Sequence, residues 1–195
     1  MPIMQIAIIS ASVRINRNSH RVALYFQNYI KAHNLGSVEL LDLNTYNFPV
    51  FEERLRLMKD PSPDVLQFAD EVMNADGVII VTPEYNGGYP ASLKNVIDLL
   101  YAEWKRKPIA VATVSNGPFG GAQVTTSLVF SLWKIGAWVV PAMFPVPKVQ
   151  EAYDADGNAT DPTTTDRRAK AFLEELSWCI MAKGKMEAEQ QQPVK

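Results

Sequence analysis

The chain has 195 residues, 47% of them hydrophobic and 21% charged, with a formal net charge of −2. That length supports one domain with a substantial core, and the near-neutral balance supplies no basic surface for nucleic acid or an anionic membrane. No stretch approaches the roughly 18 apolar residues of a membrane span, and the single cysteine, Cys179, excludes an internal disulfide or a Cys-rich metal site.

The opening MPIMQIAIIS carries neither a basic leader nor a cleavage site. It reads as a buried first strand from Ile3 to Ile9, and a cytoplasmic location is the expectation. A polar stretch, Ser10 to Asn18, leads into a helix from about Ser19. Its residues Val22, Ala23, Phe26, Tyr29 and Ile30 are spaced for one buried face. Val38 to Leu43 is the second expected strand, and Tyr46 to Asp60 reads as irregular. Ser62 then supplies an N-cap with Pro63 at the first helical position. Val65, Phe68, Ala69, Val72 and Met73 form that helix's apolar stripe.

Gly77 to Thr82 is the third strand, β-branched from Val78 to Val81. A helix is expected over Ala91 to Ala102, a fourth strand over Ile109 to Ser115, a helix over Ala122 to Ile135, and a fifth strand over Trp138 to Phe144. Pro145 to Pro162 is a polar return with an Asp156-Gly157 turn. Asp161-Pro162 caps a last helix that buries Phe172, Leu173, Leu176 and Ile180. Cys179 lies among them and reads as core packing. Five strand–helix units imply one α/β domain, a parallel sheet with helices on both faces. Residues 1–184 form it; 185–195, ending in EAEQQQPVK, read as a flexible polar tail.

Open parallel sheets bind ligands beyond the carboxyl ends of their strands. Three loops leave on that edge. After the first strand, Ser12, Arg14, Asn18 and Ser19 gather short donors and a guanidinium where a helix begins. Free N–H groups and the positive end of the helix dipole suit a phosphate there; the plainer reading is a helix start with solvated arginines. Neither G-x-x-x-x-G-K-[ST] nor G-x-G-x-x-G is present. After the third strand, Thr82-Pro-Glu-Tyr-Asn-Gly-Gly-Tyr-Pro90 pairs two prolines with two glycines and offers Tyr85 and Tyr89 to a flat ring. After the fourth, Ser115-Asn-Gly-Pro-Phe-Gly-Gly121 leaves room for a ligand against the backbone.

Together these loops resemble the NADPH-dependent FMN reductase family, relatives of the flavodoxins that include quinone and azo-dye reductases. The match is closest over TPEYNGGYPASLKNVIDLL, Thr82 to Leu100, and extends to S-V-R with Asn18-Ser19, Ser115-Asn116-Gly117 with Gly120-Gly121, and the last helix. Ala11 stands where many relatives have glycine, and Ile15 to Arg17 lengthens the loop. The resemblance implies a flavodoxin-like three-layer sandwich with strand order 2-1-3-4-5. It implies FMN held by Ser12, Arg14, Asn18 and Ser19 at the phosphate. Pro83, Glu84, Tyr85 and Asn86 would lie along the ring, and Ser115, Asn116 and Gly117 at its pyrimidine edge. NADPH or NADH would be the reductant, and a quinone, azo compound, metal oxyanion or free flavin the acceptor. A homodimer or homotetramer is also implied, with Trp104, Trp133 and Leu132 as candidate contact residues.

No catalytic acid or base is required, because the flavin carries the chemistry. His33 is expected to face solvent, and His20 lies either on the phosphate or on the surface. An FMN electron carrier that does not oxidise nicotinamide is the competing reading. A phosphoacceptor domain would need acidic residues where Ser10, Ala11 and Ser12 stand. A serine hydrolase would need a G-x-S-x-G elbow.

Overall fold

The computed structural model describes residues 4–190. Five strands, β1 (Gln5–Ser10), β2 (Ser37–Asp42), β3 (Gly77–Pro83), β4 (Pro108–Val114) and β5 (Trp138–Val146), make one sheet in the order β2-β1-β3-β4-β5. Every neighbouring pair is parallel. The central strands are almost continuously apolar because both faces are covered. Alternation along the pleat sorts their side chains. Ile6, Ile8, Ile79 and Val81 enter one core layer, and Ala7, Ile9, Val78 and Ile80 the other.

Helices α1 (Ser19–Ala32) and α7 (Pro162–Gln190) cover the first layer, where Phe26, Phe144 and Phe172 meet. Helices α3 (Pro63–Asn74), α4 (Ala91–Leu99) and α5 (Ala122–Lys134) cover the second with Phe68, Leu93 and Leu128. Two single-turn helices, α2 (Leu43–Tyr46) and α6 (Val149–Ala152), follow β2 and β5. Gly157 permits the return into α7 to lie on α1: it has φ +84°, and a Cβ there would come within 2.7 Å of the Tyr25 nitrogen.

The expected architecture stands, with local corrections. Ile3, the first residue of the expected opening strand, lies outside the described residues. Met73 is exposed and leaves the α3 stripe. Helix α4 stops at Leu99, short of Ala102, because Leu100 turns extended and its side chain enters the core with Trp104. Trp104 and Leu132 are fully buried and offer no contact surface. Trp133 is 65% exposed and, with Phe130 and Met143, lines an open apolar groove of about 780 Å³ between α5 and β5. Cys179 is buried as expected, and burial pushes its thiol pKa up. Helix α7 continues past Gly184 to Gln190, with a Lys183–Glu187 ion pair one turn apart supporting the extension. The rest of the expected tail lies outside the described residues.

Candidate active site

At the carboxyl rim the sheet order reverses: β1 is followed by β2 on one side and by β3 on the other. The loops after β1, β3 and β4 converge there on a cleft of about 310 Å³. Ser12, Arg14, Asn18, Ser19, Pro83, Glu84, Tyr85, Ser115, Asn116 and Gly117 all line it. Asn86 does not. It sits exposed at the tip of a two-residue turn closed by reciprocal Tyr85–Gly88 backbone hydrogen bonds. Positive φ at Asn86 (53°) and Gly87 (78°) gives that turn its form, so Asn86 shapes the loop from outside.

The first loop ends at the start of α1. Among the described residues no side chain caps this helix, and no acidic residue lies in its first turn, so its N-terminal dipole opens into the cleft. Ser19 is 3% exposed, and its hydroxyl has no hydrogen-bond partner among the described residues. A buried hydroxyl without a partner is costly, and this one borders the cleft. Trp104 Nε1 is a second such atom, sealed in the core.

Ser12 Oγ lies 2.7 Å from the Tyr85 hydroxyl and accepts from the Arg14 N–H at 3.4 Å. A serine hydroxyl can accept two hydrogen bonds and donate one. With Tyr85 donating, its own proton remains free for an anion. The exposed Arg14 guanidinium lies 5.4 Å from the Tyr85 ring centroid, so one aromatic side chain ties the first loop to the second. Asn18 Nδ2 donates to Asn116 Oδ1 at 3.3 Å, tying the first to the third.

Two expected ring contacts have other work. The Glu84 carboxylate accepts from the Gln123 and Val124 N–H groups at 2.8 and 3.0 Å, capping α5 from another loop. Ser115 donates through its hydroxyl to the Gly117 carbonyl at 2.8 Å and through its N–H to Val146 at 3.0 Å. Asn116 and Gly117 are left as the parts of that loop presented to a ligand, and a Cβ at Gly117 would meet nothing within 4 Å.

Arg17, in the sequence only part of the Ile15 to Arg17 extension, borders the cleft and pairs with Asp42 at the end of β2. No local pattern marks a partner 25 residues away. His20 lies behind the loop, with Nδ1 3.0 Å from Ser10 Oγ. Burial, then the Arg17 charge, lower its pKa against the opposing pull of Asp42. His33 is exposed and stacks on Tyr29. Among the described residues no cluster of three His, Cys, Asp or Glu side chains could hold a metal, and no helix is long and apolar enough to cross a membrane.

The cleft thus joins an uncapped helix start and a buried hydroxyl without a partner among the described residues to a wall that carries Tyr85. Residues 4–151 match the NADPH-dependent FMN reductase family. The chain belongs to that family. An NAD(P)H-dependent FMN reductase of Saccharomyces cerevisiae is 35% identical to it over 138 residues, 64% of this chain and 71% of the yeast protein. A quinone reductase of Pseudomonas putida is 34% identical over 138 residues, 66% of this chain and 71% of the relative. Among solved structures, the flavoenzyme NAD(P)H:(acceptor) oxidoreductase FerB of Paracoccus denitrificans has a TM-score of 0.74 and 28% identity, covering 91% of this chain and 97% of that one. This reductase-family chain therefore has the fold and the family that its loops imply. The larger groove beside α5 is mainly apolar and has no comparable set of converging donors, so chemistry selects the smaller cleft.

Proposed function

We propose that the chain is an NAD(P)H-dependent oxidoreductase that holds FMN in the three-loop cleft and works by ping-pong transfer to a small acceptor. The partnerless Ser19 hydroxyl at the open end of α1 carries this reading. It fits the terminal phosphate of FMN, with Ser12, Arg14 and Asn18 beside it. Pro83, Glu84 and Tyr85 wall the ring and Asn86 holds their turn. Asn116 and Gly117 supply backbone at the pyrimidine edge, with Ser115 bracing their loop.

Bound FMN supplies the hydride-accepting and hydride-donating centre. The protein's part is geometric and electrostatic. Tyr85, anchored on Ser12, holds one wall of the cleft in place, against which a flat ring would stack for the near-attack geometry of transfer. The backbone N–H groups of Asn116 and Gly117 would stabilise negative charge on the pyrimidine edge of bound FMN. No side chain is required as acid or base. Reduced nicotinamide and then the acceptor use the same open side in turn. A flat slot suits quinones, azo compounds and free flavin, and metal oxyanions reach it as well. The reading includes a homodimer or homotetramer in the cytoplasm, with Trp133, Phe130 and Met143 as the apolar contact; sedimentation of wild type against Trp133→Glu tests the assembly.

Anaerobic mixing of FMN-loaded protein with NADPH or NADH tests the activity. Rapid loss of the oxidised flavin absorbance is expected, followed by its return on adding a quinone, with parallel double-reciprocal plots. An unchanged oxidised spectrum would make the protein an electron carrier.

A further inference from the structure

The first loop contains two arginines, and the structure uses them differently. Arg14 is exposed at the mouth of the cleft. Arg17 is 16% exposed, and its guanidinium forks onto both carboxylate oxygens of Asp42, itself 14% exposed. The same Arg17 Nη1 donates to the Ser12 carbonyl at 3.0 Å. The loop tip at Ile15 is 90% exposed, and Asn16, at φ 57°, turns the chain back so that Arg17 re-enters. Asp42 ends β2, paired in register with Ser10, and its Oδ1 also accepts from the Asn44 N–H at 3.0 Å. Asp42 therefore anchors the start of the loop twice: its backbone holds Ser10 in the strand register, and its carboxylate holds Ser12 through Arg17.

We propose that Arg17, clasped by Asp42, is a positioning residue that sets the Ser12 turn in its phosphate-binding form, leaving Arg14 as the arginine that meets the phosphate. This rests on the FMN reading of the cleft. A guanidinium can serve here because its planar fork engages a carboxylate and still has a donor for a carbonyl. The pair is electrically neutral, so it adds rigidity to the loop without adding net charge to the cleft. His20 lies 3.8 Å from Asp42 Oδ2, beyond hydrogen-bond distance, so it does not compete for the carboxylate. The role explains why Ile15 to Arg17 lengthens the loop: the extra residues bring a guanidinium back to the sheet edge.

The test is the ratio of FMN to riboflavin affinity, measured by fluorescence quenching on apoprotein, with apoprotein melting followed in parallel. Riboflavin has the ring without the phosphate. Arg17→Met and Asp42→Asn are each expected to weaken FMN about tenfold and to leave riboflavin within about twofold. Asn at position 42 keeps an acceptor for the Asn44 N–H, so the start of α2 is preserved. If Arg17→Met fails to fold, Arg17→Lys serves, since one ammonium cannot span both oxygens and the carbonyl; FMN should then weaken about threefold at unchanged riboflavin affinity. Tighter FMN binding by Asp42→Asn would overturn the proposal, because a released Arg17 would then be a direct phosphate ligand. An unchanged ratio in both variants, or equal losses for both ligands, would also overturn it, leaving the pair a structural clasp only. Wild-type protein that does not prefer FMN to riboflavin would sink the cleft assignment itself, and the proposal with it.

Discussion

The two ends of the sheet each hold a helix terminus and a cation, and they treat them in opposite ways. At the amino end, Lys107 precedes β4 with only 5% exposure, and its ammonium donates to the Met73 carbonyl at 2.9 Å and to the Ala75 carbonyl. Those carbonyls terminate α3, so the cation is spent on the helix C-terminus. At the carboxyl end, α1 begins without a side-chain cap, beside a hydroxyl with no partner and an arginine open to solvent. The contrast separates folding from function. Polar groups saturated by the fold stabilise it, and polar groups left unsaturated at a concave rim are held for a ligand. Helix α5 sharpens the point: it starts at the same rim, yet Glu84 caps it.

The largest test breaks the saturated end. Lys107→Met leaves two buried carbonyls without their donor and should cost about 2–3 kcal/mol in chemical denaturation, with the FMN-to-riboflavin ratio unchanged. Burial, aided by the Lys183 charge, lowers the Lys107 pKa to about 8 from 10.5. Between those values the unfolded chain holds a proton that the folded chain has released, so this residue's contribution to stability rises with pH. Wild type should therefore gain stability relative to Lys107→Met between pH 8 and 10.5, as denaturation midpoints at several pH values would register. A gap that narrows as pH rises would contradict the assignment.

At the open end, Arg14→Ala should weaken FMN by about 10- to 100-fold, the worth of hydrogen bonds to a charged group. Turnover of the FMN-saturated variant should be nearly intact, because Arg14 binds the phosphate tail and not the reacting ring. Stopped-flow reduction at saturating FMN checks this, and a collapse of that rate would remove Arg14 from the phosphate. Glu84→Ala removes the shared cap of α5 and should cost about 1–2 kcal/mol of thermal stability, whereas Glu84→Gln keeps an acceptor and should lose less. Ser19→Ala gives the smallest and most diagnostic change. In apoprotein it deletes an unsatisfied hydroxyl and should leave the melting temperature equal or slightly higher. In the FMN complex it should lower affinity by about tenfold. Equal effects on both states would show that Ser19 belongs with the saturated groups.

Much of the molecule was legible beforehand. Continuous apolar runs of strand length alternating with helix-period stripes forced a parallel sheet covered on both sides, because no other arrangement buries those strands. Ser62-Pro63 and Asp161-Pro162 marked two helix starts that the structure keeps, through hydrogen bonds to the Val65 and Thr164 N–H groups. Ten of the expected cleft residues reached the cleft because the ends of parallel strands share one rim. Asn86, expected along the ring, instead sits at the tip of a turn that only the structure shows. Trp104 and Trp133 show the complementary limit. They are the same residue type near the ends of two helices, and packing sealed one and exposed the other.

The sequence alone determined the layers, the order of elements and the three loops that carry the chemistry, because hydrophobic periodicity and turn residues act over short distances. Only the tertiary structure decided which polar groups were consumed: Arg17 by Asp42, Glu84 by α5, Lys107 by α3, with Ser19 left free. Those partners stand 25 to 40 residues apart in the chain, and a hydrogen bond at that separation exists only once the sheet has brought its strand ends together.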